Sequence, residues 1–202
     1  MSVGITLRNL SLGLATVSFL VTGAAFAESS GLTGTTARLD QTLSAQSARQ
    51  GQRVEAKLDG SVKSSSGLDL PKGTELIGTV SGVQPSENGG PSNLSVTFTR
   101  AETKDGQMIP VRVTLIGAYP ASAGGGTYGQ QTMGPVPNHI GADRKVDQEA
   151  GLLNHISMWS SAQGQKSATF RDHDGNVKLR QGTYFQLGIA PANTSGGMST
   201  GA

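Results

Sequence analysis

The chain has 202 residues, 29 of them Gly and none Cys, with 15% charged, 35% hydrophobic and 4% aromatic residues and a formal charge of +2. Average soluble domains carry about 25% charged residues and about 7% Gly, so a helical bundle is disfavoured, because each interior glycine would weaken it. The lack of cysteine excludes disulfides, cysteine-ligated metals and thiol nucleophiles, and the small net charge gives no electrostatic basis for binding nucleic acid.

Residues 1–27 read as a secretory signal peptide. Arg8 is the only charged side chain before Glu28, an apolar stretch covers residues 10–21, and Ala25-Phe26-Ala27 sets small residues where a signal peptidase inspects the chain. A spanning helix needs about 20 apolar residues, and this stretch is shorter and broken by Ser11, Thr16 and Ser18. Cleavage after Ala27 is expected. The product would be periplasmic or secreted, with no membrane-spanning segment, and held together without disulfides by burial and sheet hydrogen bonds.

Period-two alternation then predicts strands in chain order. Val54, Ala56 and Leu58 alternate with Glu55, Lys57 and Asp59. Leu76, Ile77 and Val80 form a less regular run. Leu94, Val96 and Phe98 alternate with Ser95, Thr97 and Thr99, and Ile109, Val111, Val113 and Leu115 with Pro110, Arg112, Thr114 and Ile116. Phe185, Leu187 and Ile189 close the series. The expected core is Val54, Leu58, Leu76, Val96, Phe98, Val111, Val113, Leu187 and Ile189.

Turn residues separate these runs. Leu70-Pro71-Lys72-Gly73 suits a type I turn, while Lys104-Asp105-Gly106 and Asp172-His173-Asp174-Gly175-Asn176 read as hairpin connections in which Asp-Gly allows positive φ. Short strands joined by polar turns predict an all-β fold, a small antiparallel β-barrel. It would form one domain over residues 28–191, with a loop-rich insertion at 119–165. Residues 120–138 are Gly-, Ser- and Pro-rich and read as a linker, and residues 192–202 as a disordered tail. Within the insertion, residues 143–159 place Val146, Ala150, Leu153 and Ile156 at helical spacing, but Gly151 weakens a helix there. A strand over 152–159 is the alternative.

A short recurrence links distant parts of the chain. Arg49-Gln50-Gly51 and Arg180-Gln181-Gly182 are identical, and Leu70-Pro71-Lys72-Gly73-Thr74 shares Leu-x-x-Gly-Thr with Leu179-Arg180-Gln181-Gly182-Thr183. Either Gly-Thr is simply a good exit from a turn into a strand, or equivalent turns recur around a barrel.

The run from Gln50 through Val54-Glu55-Ala56-Lys57-Leu58, followed by Leu70-Pro71-Lys72-Gly73-Thr74-Glu75-Leu76-Ile77-Gly78, resembles the C-terminal barrel of the TrbI-type conjugation proteins. These are the tenth VirB component of type IV secretion machines. Val96-Thr97-Phe98-Thr99-Arg100, Asp105-Gly106 and Gln181-Gly182-Thr183 extend the likeness. The resemblance implies a barrel and a place in the cell envelope. Family members carry a membrane anchor and a periplasmic arm, where a cleavable leader is expected here. Pore-forming members carry an apolar helical hairpin, whereas this insertion holds Asp143, Arg144, Lys145, Asp147 and Glu149, which would be costly in lipid.

Candidate chemistry is sparse. Gly124-Gly125-Gly126-Thr127-Tyr128-Gly129 fits G-x-G-x-x-G, but the Gln130-Gln131-Thr132-Met133-Gly134-Pro135 that follows cannot open the helix a dinucleotide site needs. Asp172-x-Asp174-Gly175 resembles part of a calcium loop, yet the first and twelfth positions are Phe170 and Gln181 rather than acids. His139, His155 and His173 lie too far apart for zinc-type spacing, and His139 has only Asp143 nearby in sequence. No serine elbow occurs. No catalytic, cofactor-binding or metal-binding residue is assigned, and no cofactor is expected.

Two functions remain. The first is an exported, non-catalytic envelope barrel that contacts another envelope protein or self-associates, marked by a sheet edge or apolar patch. The second is a small-ligand or glycan-binding periplasmic module, marked by a pocket at Trp159, Tyr128 or Tyr184. The scarcity of aromatic residues ranks the first higher.

Overall fold

All five of the alternating runs become strands. The computed structural model describes residues 31–121, 134–148, 153 and 155–192. In chain order the strands are β1 (Leu32–Leu39), β2 (Leu43–Ser44), β3 (Arg53–Leu58), β4 (Val62–Lys63), β5 (Asp69–Leu70), β6 (Glu75–Gln84) and β7 (Ser92–Glu102). Then come β8 (Met108–Tyr119), β9 (His139–Ile140), β10 (Lys145–Gln148), β11 (Ile156–Ser161), β12 (Ala168–Asp172), β13 (Lys178–Leu179) and β14 (Tyr184–Pro191). β7, β6, β3, β1, β14 and β8 pair antiparallel in that order, and β8 pairs back onto β7. The result is a closed six-stranded antiparallel β-barrel with extra strands, as the alternation and turns led one to expect.

Inward parity fills the barrel. All nine expected core residues are buried at 3% exposure or less, joined by Phe170 of β12 and Phe185 of β14, whose ring centroids lie 6.2 Å apart. Pairing between β6 and β7 shifts register at Ile77/Gly78 and again at Val80/Gly82, so the run at Leu76, Ile77 and Val80 alternates poorly. A further shift at Gln186/Leu187 brings Ala118 of β8 into the core, while Ile116 packs on a second small cluster of Leu32, Ile140, Ala162 and Ala190. Such bulges bend strands locally and help a short sheet curl.

The recurrent Gly-Thr turns are structurally equivalent. The Thr74 N–H donates to the Pro71 carbonyl at 3.2 Å, and the Thr183 N–H to Arg180 at 3.0 Å. Each threonine hydroxyl also donates to that same carbonyl, at 2.8 and 2.7 Å. Both turns then clamp the last residue of a strand, Leu58 in one case and Leu39 in the other, through paired backbone bonds of 2.7–2.9 Å. Even the miniature sheets match, since Leu70 pairs with Val62 as Leu179 pairs with Leu43. The unit β3–β4–β5–β6 is therefore repeated by β1–β2 and the remote β13–β14. Gly73 and Gly182 sit at φ +86° and +82°, which places the first turn at Pro71–Thr74 with Gly third. That is the type II arrangement, one residue later than the expected type I turn.

Beyond the pairing that runs from Glu102 with Met108 to Arg100 with Pro110, β7 and β8 separate. The wedge is filled by β10, β11 and β12, which extend the sheet from the first half of β7. Ser167 bridges the gap: its N–H donates to Val96, its carbonyl accepts from Leu115 and its hydroxyl accepts from the Phe98 N–H at 3.0 Å. Gln148 closes the other side by bonding both the N–H and the carbonyl of Ala118. Where helix and strand were open alternatives for 143–159, the described residues form β10 and β11, whose tie to β8 and β12 outweighs the local helical spacing. The segment Asp172–Asn176 is not a hairpin, because β12 pairs with β7 and β11 whereas β13 pairs with β2. Gly175 is absent from the glycines at positive φ.

Candidate functional site

Outward parity on β10, β11, β12 and β7 builds a flat polar face. Residues directly opposite on antiparallel strands share a face, and the register aligns Asp147 with Trp159, Trp159 with Thr169, Thr169 with Ser95, and Ser95 with Gly82 of β6. A second row runs beside it through Ser157, Arg171, Asn93 and Gln84. Hydrogen bonds stitch both rows: Ser95 and Thr169 hydroxyls lie 2.9 Å apart, and Asn93 Nδ2 donates to Gln84 Oε1 at 3.0 Å. Lys166, from the turn between β11 and β12, reaches over the first row with Nζ 3.4 Å from Ser95 Oγ.

Half-buried Trp159 stands in this face and lines an open groove of about 480 Å³ with Ser161, Gly164, Gln165, Lys166 and Thr169. That volume lies in the range of small-molecule sites. A second cavity of about 240 Å³ opens at one barrel end between Ile156, Asp172, Lys178, Arg180 and Thr183. It is smaller than most ligand sites, and its Asn176 side chain is already used, accepting from the Ser86 N–H at 2.9 Å.

Other residues weighed from sequence are scattered. Tyr128 and the Gly124–Gly129 motif lie outside the described residues, as do residues 1–30 and 193–202. Tyr184 is buried, with the Arg38 guanidinium 4.7 Å above its ring. His139 packs its ring against Gly31, and His173 faces Ser157 with Nε2 3.4 Å from Oγ. Among the described residues no three His, Cys, Asp or Glu side chains gather to hold a metal. The Asp172–Asn176 segment makes an Asx turn instead, Asp174 N–H donating to Asp172 Oδ1 at 3.1 Å.

Perturbed acidities fall away from the groove. A hydrogen bond to Asp59 holds the Arg38 guanidinium above its ordinary value. Burial raises the Tyr119 phenol, whose hydroxyl donates to Gln186 Oε1 at 3.2 Å. Burial also raises Asp40, aided by Glu55 and Asp59 against Lys57.

Trp159 was visible in the sequence as a candidate, whereas Asp147, Lys166, Thr169 and Arg171 were not. Their only signal was the polar parity of strands that had yet to be aligned. Among the described residues no helix is long and apolar enough to cross a membrane. No family model and no curated protein matches the chain. Among solved structures, the chain is similar to ComB10 of the Com type IV secretion system of Helicobacter pylori, with 18% identity over 80% of this chain and 86% of that one and a TM-score of 0.35.

Proposed function

We propose that this is an exported, non-catalytic β-barrel of the cell envelope that works by protein contact, and that the contact is the outer edge of β10. Export rests on the leader at residues 1–27, and its test is an N-terminus at Glu28 by mass spectrometry of the exported protein. Non-catalytic action is favoured by a barrel interior packed with side chains such as Phe98, Phe170 and Phe185.

The carrying observation is the edge itself. β10 pairs with β11 on one side and with no other strand among the described residues. The Ala162 N–H donates to the Arg144 carbonyl at 2.8 Å, which fixes the parity of the ladder. Val146 and Gln148 therefore turn their backbone groups to β11, while Lys145 and Asp147 turn theirs outward.

A second copy fits this edge. Two β10 strands paired antiparallel about Val146 would set Lys145 of each opposite Asp147 of the other, an opposite-charge pair made twice. Four residues bury too little for a permanent dimer, so the association is weak and needs high local concentration.

A photo-crosslinking residue at position 145 of the full chain, in cells, tests the contact. A self-adduct is expected. Lys145→Asp should reduce self-association, and Lys145→Asp with Asp147→Lys should restore it, because the pairs are then reversed but still opposite. An adduct with a different envelope protein would overturn self-association and retain protein contact. A folded barrel giving no adduct would overturn both.

A further inference from the structure

We propose that the outer face of β10, β11, β12 and β7 binds a carbohydrate chain bearing carboxylate groups. This goes beyond the protein-contact reading and does not rest on it, because the groove at Trp159 is lined by β11, β12 and the turn between them rather than by β10.

Trp159 is the only tryptophan of the chain, and it is half-buried beside an open groove rather than sunk in the core. A sugar ring presents an apolar C–H face and a rim of hydroxyls. It is held well by an aromatic ring flanked, in one plane, by short donors and acceptors. The register supplies that surround: Asp147 on one side of Trp159, Thr169 and then Ser95 on the other. Gln165, at the groove, and Asn93, in the second row, add amides, which both donate and accept. The face is long in the direction across the strands, at about 4.8 Å per strand, which suits a run of linked rings better than a single small molecule.

Charge selects among such chains. Lys166 lies over the first row and Arg171 in the second, against the single carboxylate of Asp147. Among the described residues no ion pair engages either cation, and Arg171 Nε is buried without a hydrogen-bond partner. Unpaired cations beside a stacking ring favour carboxylates on the ligand, through charge-assisted hydrogen bonds. A protein partner would instead be expected to seek an apolar centre with several aromatic anchors, which a face of hydroxyls and amides around one ring does not offer.

The lone tryptophan makes the test direct, since all indole emission comes from Trp159. The full chain is titrated with alginate hexasaccharide, a uronate chain, and with neutral maltohexaose. A saturable change in emission with alginate is expected, weaker with maltohexaose by about tenfold or more in affinity. Lys166→Gln and Thr169→Val, each checked for unchanged melting temperature, should weaken alginate binding, and Arg171→Gln should do the same if it folds. The proposal is overturned if alginate produces no saturable change, if maltohexaose binds equally, if sodium sulfate reproduces the response, or if Lys166→Gln binds as well as the parent.

Discussion

At Gly78 a β-carbon would lie 2.2 Å from the Thr97 carbonyl oxygen and 2.7 Å from the Phe98 α-carbon, so a side chain there must push β6 off β7 at the very point where their register shifts. Gly78→Ala should cost near the top of the about 1–3 kcal/mol range for overpacking. Gly51 is the contrast, at φ +83° with open space around it. Gly51→Ala should cost only the backbone term of about 1 kcal/mol, and urea unfolding of the two variants would rank them. Asp40 adds a pH dependence. Its folded pKa is raised, first by burial, so the native state holds that proton more tightly than the unfolded chain. The group is neutral in effect below its unfolded pKa, and its charge opposes folding above the folded one. Asp40→Asn should therefore raise the melting temperature slightly at pH 7 and leave it unchanged at pH 3. The side chain is largely exposed, so solvent screening keeps the shift small.

Between elements, the gap between β7 and β8 is spanned by Ser167. Ser167→Ala would strip the acceptor from the buried Phe98 N–H, costing about 1–3 kcal/mol for an unsatisfied donor, although the change removes one oxygen. Phe98→Ala in the same region should cost about 3–5 kcal/mol. A loss below 1 kcal/mol in the latter would mean that β7 presents its other face inward. Strands with apolar alternation, such as β3, β7, β8 and β14, were legible because one parity is Val, Leu, Ile or Phe. β1 was not, since its inward positions include Thr35 and Ala37 and its signal rests on few large residues. The turns at Gly73 and Gly182 were legible from Leu-x-x-Gly-Thr, yet the sequence could not say that both clamp a strand-end leucine. The candidate face was least legible of all. Ser95 and Thr169 are 74 residues apart, and only the pairing of β12 with β7 brings them together, whereas Trp159 alone carried a local signal.

For the whole molecule, one strand–turn unit is repeated by segments near the two ends of the described chain, and closure is expected to be all-or-none. β14 is buried on both faces from Tyr184 to Ala190: Phe185, Leu187 and Ile189 face the barrel core, while Gln186 meets the Gly134 carbonyl and Ala190 joins the outer cluster. It lies between β1 and β8, and it completes with β13 the turn that clamps Leu39. Removing everything after Asn176 would leave β1 and β8 with unpaired edges and strip Val177, Leu179, Phe185, Leu187 and Ile189 from the core. Bringing such distant segments together costs entropy that grows only logarithmically with the loop, so burial along β14 readily outweighs it. The chain ending at Asn176 is expected to lose its cooperative transition entirely. Ala192, one residue into the expected tail, donates its N–H to the Pro110 carbonyl at 3.1 Å. A chain ending at Ala192 should melt at the parent temperature in calorimetry. If the chain ending at Asn176 melts cooperatively at that temperature too, β14 contributes nothing to closure and the repeat of β3–β6 by β1 and β14 is not a folding unit.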